Sequence, residues 1–411
     1  MNRRRYLLLV GAVTSLAGCA ARGSGGRDET ATGPGTPATG RAPRPPPASE
    51  VDLPVSTAEM RQPLPRDYIP AIVDPAFGAD WSGLDAGGRD STFPGDAPVL
   101  GVARGGRARA YPLRVLNHHE VVNDEFSGSI AVTYCVLCGS AVTFRRRVAG
   151  RPSVFGVSGK LWQSDLVMYD RRTGTLWSQL LATGINGPRT GERLDLLPTR
   201  LTTWQEWREE FPATRVLLPP PRSGTLGTYD RSFDYFSPAY GYGDEDQLVG
   251  LDSVEGGIHQ KTLVIGVVAG GTSRAYPYVA VADTRGGVVN DRVGGRPVVV
   301  ATTPEGNLVA YDRRVDGQPR QFGPAGTGFL RGAGSRWRRT TGRAVDGRHE
   351  GDRLRRANDL PPMFWYGWSK FYRDTELYGI DVEADSIRPL ERRVDAPRGP
   401  PDSPRHRSGT R

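Results

Sequence analysis

The chain repeats itself. Gly101-Val102 through Arg109-Ala110-Tyr111-Pro112 returns as Gly266-Val267 through Arg274-Ala275-Tyr276-Pro277, and Val121-Val122-Asn123-Asp124 returns as Val288-Val289-Asn290-Asp291. Val142, Phe144, Arg146 to Val148 and Gly150 line up with Val309, Tyr311, Arg313 to Val315 and Gly317. Phe155-Gly156 matches Phe322-Gly323, Trp177 matches Trp337, and Trp204 and Trp207 match Trp365 and Trp368. The offset drifts only between 160 and 167 residues, so one scaffold is used twice. This sets the expected plan: a first unit over 61–217, an aromatic and Gly-rich connector over 218–262, and a degenerate second unit over 263–385.

Within each unit the pattern is mostly that of strands. Pro98 to Val102 and Ala108 to Tyr111 flank Gly105-Gly106, which reads as a hairpin. Ile130 to Tyr134, Ala141 to Phe144 and Leu166 to Tyr169 are short runs rich in β-branched or aromatic residues. Two short helices are expected, one over Pro112 to Glu120 and one opened by a capping box at Thr203-Trp204-Gln205-Glu206 and stopped by Pro212. Trp204, Trp207 and Phe211 share one face of the latter and read as core. The expected class is mainly β, with α+β the alternative: two tandem, pseudo-symmetric β-rich units, each with one or two short helices.

The ends read differently from the body. Met1 to Cys19 has an Arg-rich start, an apolar run too short to span a bilayer, and Leu16-Ala17-Gly18-Cys19. This is the pattern of a signal peptide with a lipoprotein processing box, in which Cys19 carries the lipid. Arg3-Arg4-Arg5-Tyr6-Leu7 fits the twin-arginine export pattern. Residues 20–60 read as a disordered tether and 386–411 as a disordered basic tail. The expected location is the outer face of the cytoplasmic membrane, with membrane lipid, held through Cys19, as a partner. The formal charge of +9 belongs to the ends, because residues 1–50 and 386–411 carry +4 each. No helix-turn-helix or zinc-finger spacing accompanies it, so no nucleic-acid partner is expected.

Two copies of one scaffold permit a subtraction. What both keep is fold, and what only one keeps is a candidate site. Tyr134-Cys135-Val136-Leu137-Cys138-Gly139 aligns with Ala301-Thr302-Thr303-Pro304-Glu305-Gly306, which has lost both sulfurs. Asn117-His118-His119-Glu120 has no histidine counterpart before the second Val-Val-Asn-Asp. The first copy alone therefore combines two thiols, two imidazoles and a carboxylate. As a redox pair, Cys135 or Cys138 attacks and the other resolves, making the two cysteines the candidate catalytic residues. As a metal site, His119, Cys135 and Cys138 offer a soft set suited to copper or zinc, while the cofactor stays unassigned. A disulfide across a tight turn is the plainer alternative. Haem c is disfavoured because Gly139 stands where histidine is needed, and thioredoxin because the flanks are strands. Glu120, Ser158, Asp165, Asp170, Ser178 and Gln179 are candidates to line a pocket near the sulfurs.

These residues resemble the DUF3179 family, an uncharacterised domain of bacteria and haloarchaea. The resemblance rests on Ala110-Tyr111-Pro112, Leu116-Asn117 with His119 to Asp124, Val132 to Cys135 with Leu137 to Ala141, Phe155 to Gly159, Ser164 to Leu166 with Met168 to Arg171, Leu176 to Gln179, and Leu196 to Pro198 with Thr202 to Trp204. It covers most of 65–217, with the second unit a degenerate copy. The family pattern has an aromatic where His118 stands, Pro where Val136 stands, and Leu-Tyr-Asn near Leu161-Trp162-Gln163. Some members are described as selenoproteins, which implies redox chemistry at the Cys135/Cys138 region. The expected function is a membrane-anchored extracytoplasmic protein with a thiol-redox or metal-binding site, an oxidoreductase if it is an enzyme. The alternative is a non-catalytic binding or structural lipoprotein whose cysteines form a disulfide.

Overall fold

In the computed structural model, residues 51–84, 93–227, 233–236 and 257–380 are described. The expected signal segment, Cys19, most of the expected tether and the expected tail lie outside them, as does much of the connector. The glycine pairs make the hairpins that the repeat implies. Gly105 and Gly106 have φ of 55° and 73°, and Gly270 and Gly271 have 55° and 79°. Left-handed backbone at both central residues is what a two-residue hairpin turn requires. The flanking strands, Pro98–Arg104 with Arg107–Pro112 and Leu263–Ala269 with Thr272–Pro277, pair antiparallel in one register: Gly101 faces Ala110 as Gly266 faces Ala275.

That small-residue pair explains the tryptophan stripe. A Cβ on Gly101 would lie 2.4 Å from the Trp207 ring, and one on Gly266 would lie 1.8 Å from Trp368. Trp207 comes from helix α2 (Trp204–Glu210), which follows α1 (Leu113–His119). Trp368 comes from α4 (Trp365–Phe371), which follows α3 (Tyr278–Ala282). Each indole N–H donates to a threonine seven residues on, Thr214 at 2.9 Å and Thr375 at 3.0 Å. Pro112 caps α1 rather than entering it. Thr203 caps α2 by accepting from the Glu206 N–H at 3.3 Å, but the Glu206 carboxylate turns to the Thr202 hydroxyl at 2.7 Å. Half of the expected capping box is therefore present.

The shared Val-Val-Asn-Asp is also fold. Asp124 pairs with Arg109 and accepts from the Tyr111 hydroxyl at 2.6 Å. Asp291 repeats this with Arg274 and with Tyr276, at 2.6 and 2.8 Å. The Asn123 amide accepts from Phe155 N–H and donates to Phe155 O, 2.8 Å each, and Asn290 does the same with Phe322 at 2.9 and 2.7 Å. These asparagines give sheet-end backbone groups the partners they need.

The protein is mainly β, 43% strand and 11% helix, with its sheets in a ring of six blades. Three blades draw on each repeat, and each first blade is closed by a late strand: Arg200–Thr203 pairs with Pro98–Arg104 as Met363–Phe364 pairs with Leu263–Ala269. All the described residues belong to one compact unit. One hydrophobic core joins Cys135, Cys138, Phe155 and Trp177 to Val264, Met363, Trp365 and Phe371. The repeat thus builds a single ring whose core draws on both copies. Two boundaries move. Residues 51–60 belong to the body, because Val55 is 1% exposed and its N–H donates to Ile185 O at 2.8 Å. Part of the connector does too: Gly224–Thr225 pairs with the strand Ile72–Asp74, and Tyr235 is buried. No helix among the described residues is long and apolar enough to cross a membrane.

Candidate functional site

The Cys-x-x-Cys is a hairpin loop. Cys135 ends the strand Ser129–Cys135, opposite Ser140 at the start of Ser140–Arg145. Gly139 turns the chain with φ of 56°, and a Cβ there would meet the Phe364 ring at 2.8 Å. Gln179 clamps this hairpin. Its amide nitrogen donates to Thr133 Oγ1 at 3.2 Å and Ser140 O at 3.3 Å, while its oxygen accepts from Ser140 Oγ at 3.0 Å. The loop presents both sulfurs inward as free thiols, 1% and 0% exposed.

Asp165 meets them. Its carboxylate and the two sulfurs each offer a ligand atom, all within 4.8 Å of one another. Asp165 opens the strand Asp165–Asp170 after a turn at Gln163 and Ser164, whose φ values are 52° and 59°. Ser164 O accepts from the Cys138 thiol at 3.4 Å. Asp165 Oδ2 accepts from Ser178 Oγ at 3.2 Å and Leu180 N–H at 3.0 Å, while the buried Oδ1 has no partner. Burial pushes the Asp165 carboxyl up to about 7, against the pull of those hydrogen bonds. Glu120 lies next to this group on a left-handed backbone (φ 54°), its carboxyl without a hydrogen bond among the described residues. Burial first, then repulsion from Asp165, pushes it up to about 8. The Cys138 thiol is pushed well above its ordinary value by its hydrogen bond with Cys135, by burial, and by the charges of Cys135, Asp165 and Glu120.

Three expectations are corrected. His119 is not a ligand: it is fully buried with Nδ1 on Pro70 O at 2.6 Å and Nε2 on the Tyr235 hydroxyl at 2.7 Å. Nδ1 must donate to the carbonyl, so Nε2 accepts from tyrosine and no lone pair is left for a metal. Burial holds this imidazole down at about 4. His118 stacks on Phe233, ring centroids 4.5 Å apart. Asp170 is a turn residue at the far end of its strand, accepting from Ser153, Thr173 and the Trp177 indole. Ser158 shapes a bulge in Phe155–Trp162, donating to Val167 O at 2.5 Å and accepting from Lys160 N–H at 3.0 Å. Of the expected pocket, Asp165 meets the sulfurs with Glu120 nearby, Ser178 holds Asp165, Gln179 clamps the cysteine hairpin, and Ser158 and Asp170 hold the sheet.

The roof comes from the other repeat. Phe364 N–H donates to Cys138 O at 2.9 Å, the Tyr366 hydroxyl donates to Ser164 Oγ, and a Cβ on Gly367 would lie 2.8 Å from Cys138 Cβ. Glycine inside a helix costs about 1 kcal/mol, so Gly367 marks a close approach. The repeat itself carried that signal, since Gly367 aligns with Glu206. Strand register also refines the alignment: Thr302 faces Leu308 as Tyr134 faces Ala141, so Thr303 rather than Thr302 stands in the place of Cys135.

No curated protein and no solved structure matches the chain. The family described as "Protein of unknown function (DUF3179)" matches residues 66–375, about three quarters of the sequence and both repeats. The chain therefore belongs to the DUF3179 family.

Proposed function

We infer that Cys135, Cys138 and Asp165 bind a transition-metal ion. One observation carries this reading: two thiols and a carboxylate, all buried, converge within 4.8 Å, and one carboxylate oxygen has no partner. Around a tetrahedral zinc with Zn–S bonds of ~2.3 Å and Zn–O bonds of ~2.0–2.2 Å, neighbouring donors lie ~3.5–3.8 Å apart, so the site would close by up to about 1 Å on binding. Two thiols and a carboxylate buried together without a cation are groups whose anionic forms a divalent ion would stabilise. A carboxylate beside two thiolates suits zinc better than copper(I). The second repeat adds support. Arg339, two residues after Trp337 as Gln179 is after Trp177, is a buried cation donating to Thr302 O at 3.0 Å and Gly286 O at 2.7 Å. Thiol exchange with a protein partner fits less well, because neither sulfur is exposed and the Cys138 thiol resists ionising.

The proposed setting is outside the cytoplasmic membrane, with the chain exported through residues 1–19 and anchored by lipid on Cys19. A twin-arginine route carries folded proteins, which would let a buried ion be loaded before export. Metal analysis of protein purified without chelators should find one zinc per chain, lost in Cys135→Ser, Cys138→Ser and Asp165→Asn. Zinc that survives in Asp165→Asn, or a mixed disulfide trapped in one cysteine variant of a metal-free protein, would sink this reading. Cys19→Ser should release the protein from the membrane fraction.

A further inference from the structure

The turn that carries Ser164 has a second face. Inside, Ser164 O receives the Cys138 thiol. Outside, Trp162 and Gln163 line a cavity of about 260 Å³. Its apolar wall is Val55, Leu181 and Phe371, with the Trp162 ring set edge-on to Phe371 at 5.8 Å. Its charged lining is of both signs: Asp52 and Glu59 on one hand, Lys370 and Arg373 on the other. Among the described residues none of these four forms an ion pair. Glu59 accepts only the Ser56 N–H at 3.1 Å, and Lys370 reaches only the Tyr366 ring, 5.7 Å from its centroid.

Opposite charges that share one small cavity without neutralising each other leave two complementary vacancies. A ligand carrying both signs can make charge-assisted contacts to both sets at once. The volume is below the ~300–1,000 Å³ of drug-sized pockets, which limits the ligand to a small molecule. We propose that this cavity binds a small zwitterion of the α-amino-acid class. The carboxylate faces Lys370, Arg373 and the Gln163 amide, the ammonium faces Asp52 and Glu59, and an apolar side chain lies against Val55, Leu181 and Phe371. The site does not depend on what Cys135 and Cys138 hold, because none of its lining residues is a donor to that centre.

Titration calorimetry on the full chain tests this, using the common α-amino acids, then the tightest of them against its deamino and decarboxy analogues. An amino acid should bind saturably, and each analogue should bind at least about tenfold more weakly, the loss expected for one charged hydrogen bond. Asp52→Ala and Arg373→Ala, both at exposed positions that spare the core, should each weaken binding, and Cys135→Ser should retain it. Absence of saturable binding by any amino acid overturns the proposal. So does a deamino analogue that binds as tightly as its parent while Asp52→Ala changes nothing, which would make this an anion site only.

Discussion

Without a bound metal, the protein should become less stable as pH rises through neutrality, the reverse of what paired carboxylates usually do. The Asp165 carboxyl, ordinarily 3.8, is held up to about 7, and that of Glu120, ordinarily 4.5, up to about 8, in both cases mainly by burial. A raised carboxyl means that the folded state keeps a proton the unfolded chain has released. That contribution is fully present below about pH 4 and is lost as pH climbs through 7 and 8. The groups facing these carboxyls are each other and the two thiols. The Cys138 thiol stays protonated throughout, so it adds nothing to the slope. Two retained protons would give about 2.7 kcal/mol per pH unit, and one about 1.4, at ~1.4 kcal/mol per proton. Because the two carboxyls repel one another their shifts overlap, and a slope between these limits is expected. From pH 5.5 to 7 the loss is then about 2–4 kcal/mol, a fall of roughly 5 °C or more in Tm for a body of this size. Calorimetry of chelator-treated protein measures it, and zinc should reverse the sign because its ligands bind deprotonated. Asp165→Asn should remove one proton's worth of slope. A metal-free Tm that is flat or rises over this range, or an Asp165→Asn variant with the same slope, would refute the reasoning.

Gly367→Ala puts a methyl 2.8 Å from Cys138 Cβ and 3.2 Å from its carbonyl oxygen, so the Cys loop or α4 must move. The expected cost is about 1–3 kcal/mol in thermal melting, with loss of bound zinc by metal analysis. Asn123→Ala strands Phe155 N–H, Phe155 O and Ile72 O, and should cost about 3 kcal/mol in denaturant titration. Asn290→Ala should cost less, because Asn290 is half-buried and bonds only Phe322. Tyr235→Phe leaves His119 Nε2 without its donor and should cost about 1–3 kcal/mol, with the imidazole losing its fixed tautomer in nitrogen NMR.

The repeat makes much of this structure legible in the sequence alone. Comparing the copies separates residues such as Arg109, Asn123, Asp124 and Trp207, whose contacts recur at Arg274, Asn290, Asp291 and Trp368, from the sulfurs that have no counterpart. Subtraction failed where its premise fails, at residues unique to one copy for reasons of packing. His119 has no counterpart, yet its ring is spent on Pro70 and on Tyr235, a residue from the stretch read as a connector. Periodicity could not reveal that, because the bond spans 116 residues and Tyr235 lies in neither a strand nor a helix. Ser158 and Asp170 failed for a related reason: a buried polar residue looks alike whether it serves a ligand or an unsatisfied backbone group. The roof over the sulfurs was missed because the subtraction asked only what the second copy lacks. Turned around, it asks why a helix keeps Gly367 where its twin has Glu206. The answer lies at the contact itself. The hairpin loop of each repeat docks on the closing helix of the other, Cys138 against Gly367 and Glu305 beside Glu206. The same contact is a thiol packed on glycine on one side and a pair of carboxyls on the other. Only the first leaves room for a side chain as small as cysteine to be sealed completely, and that sealing is what a buried metal centre needs.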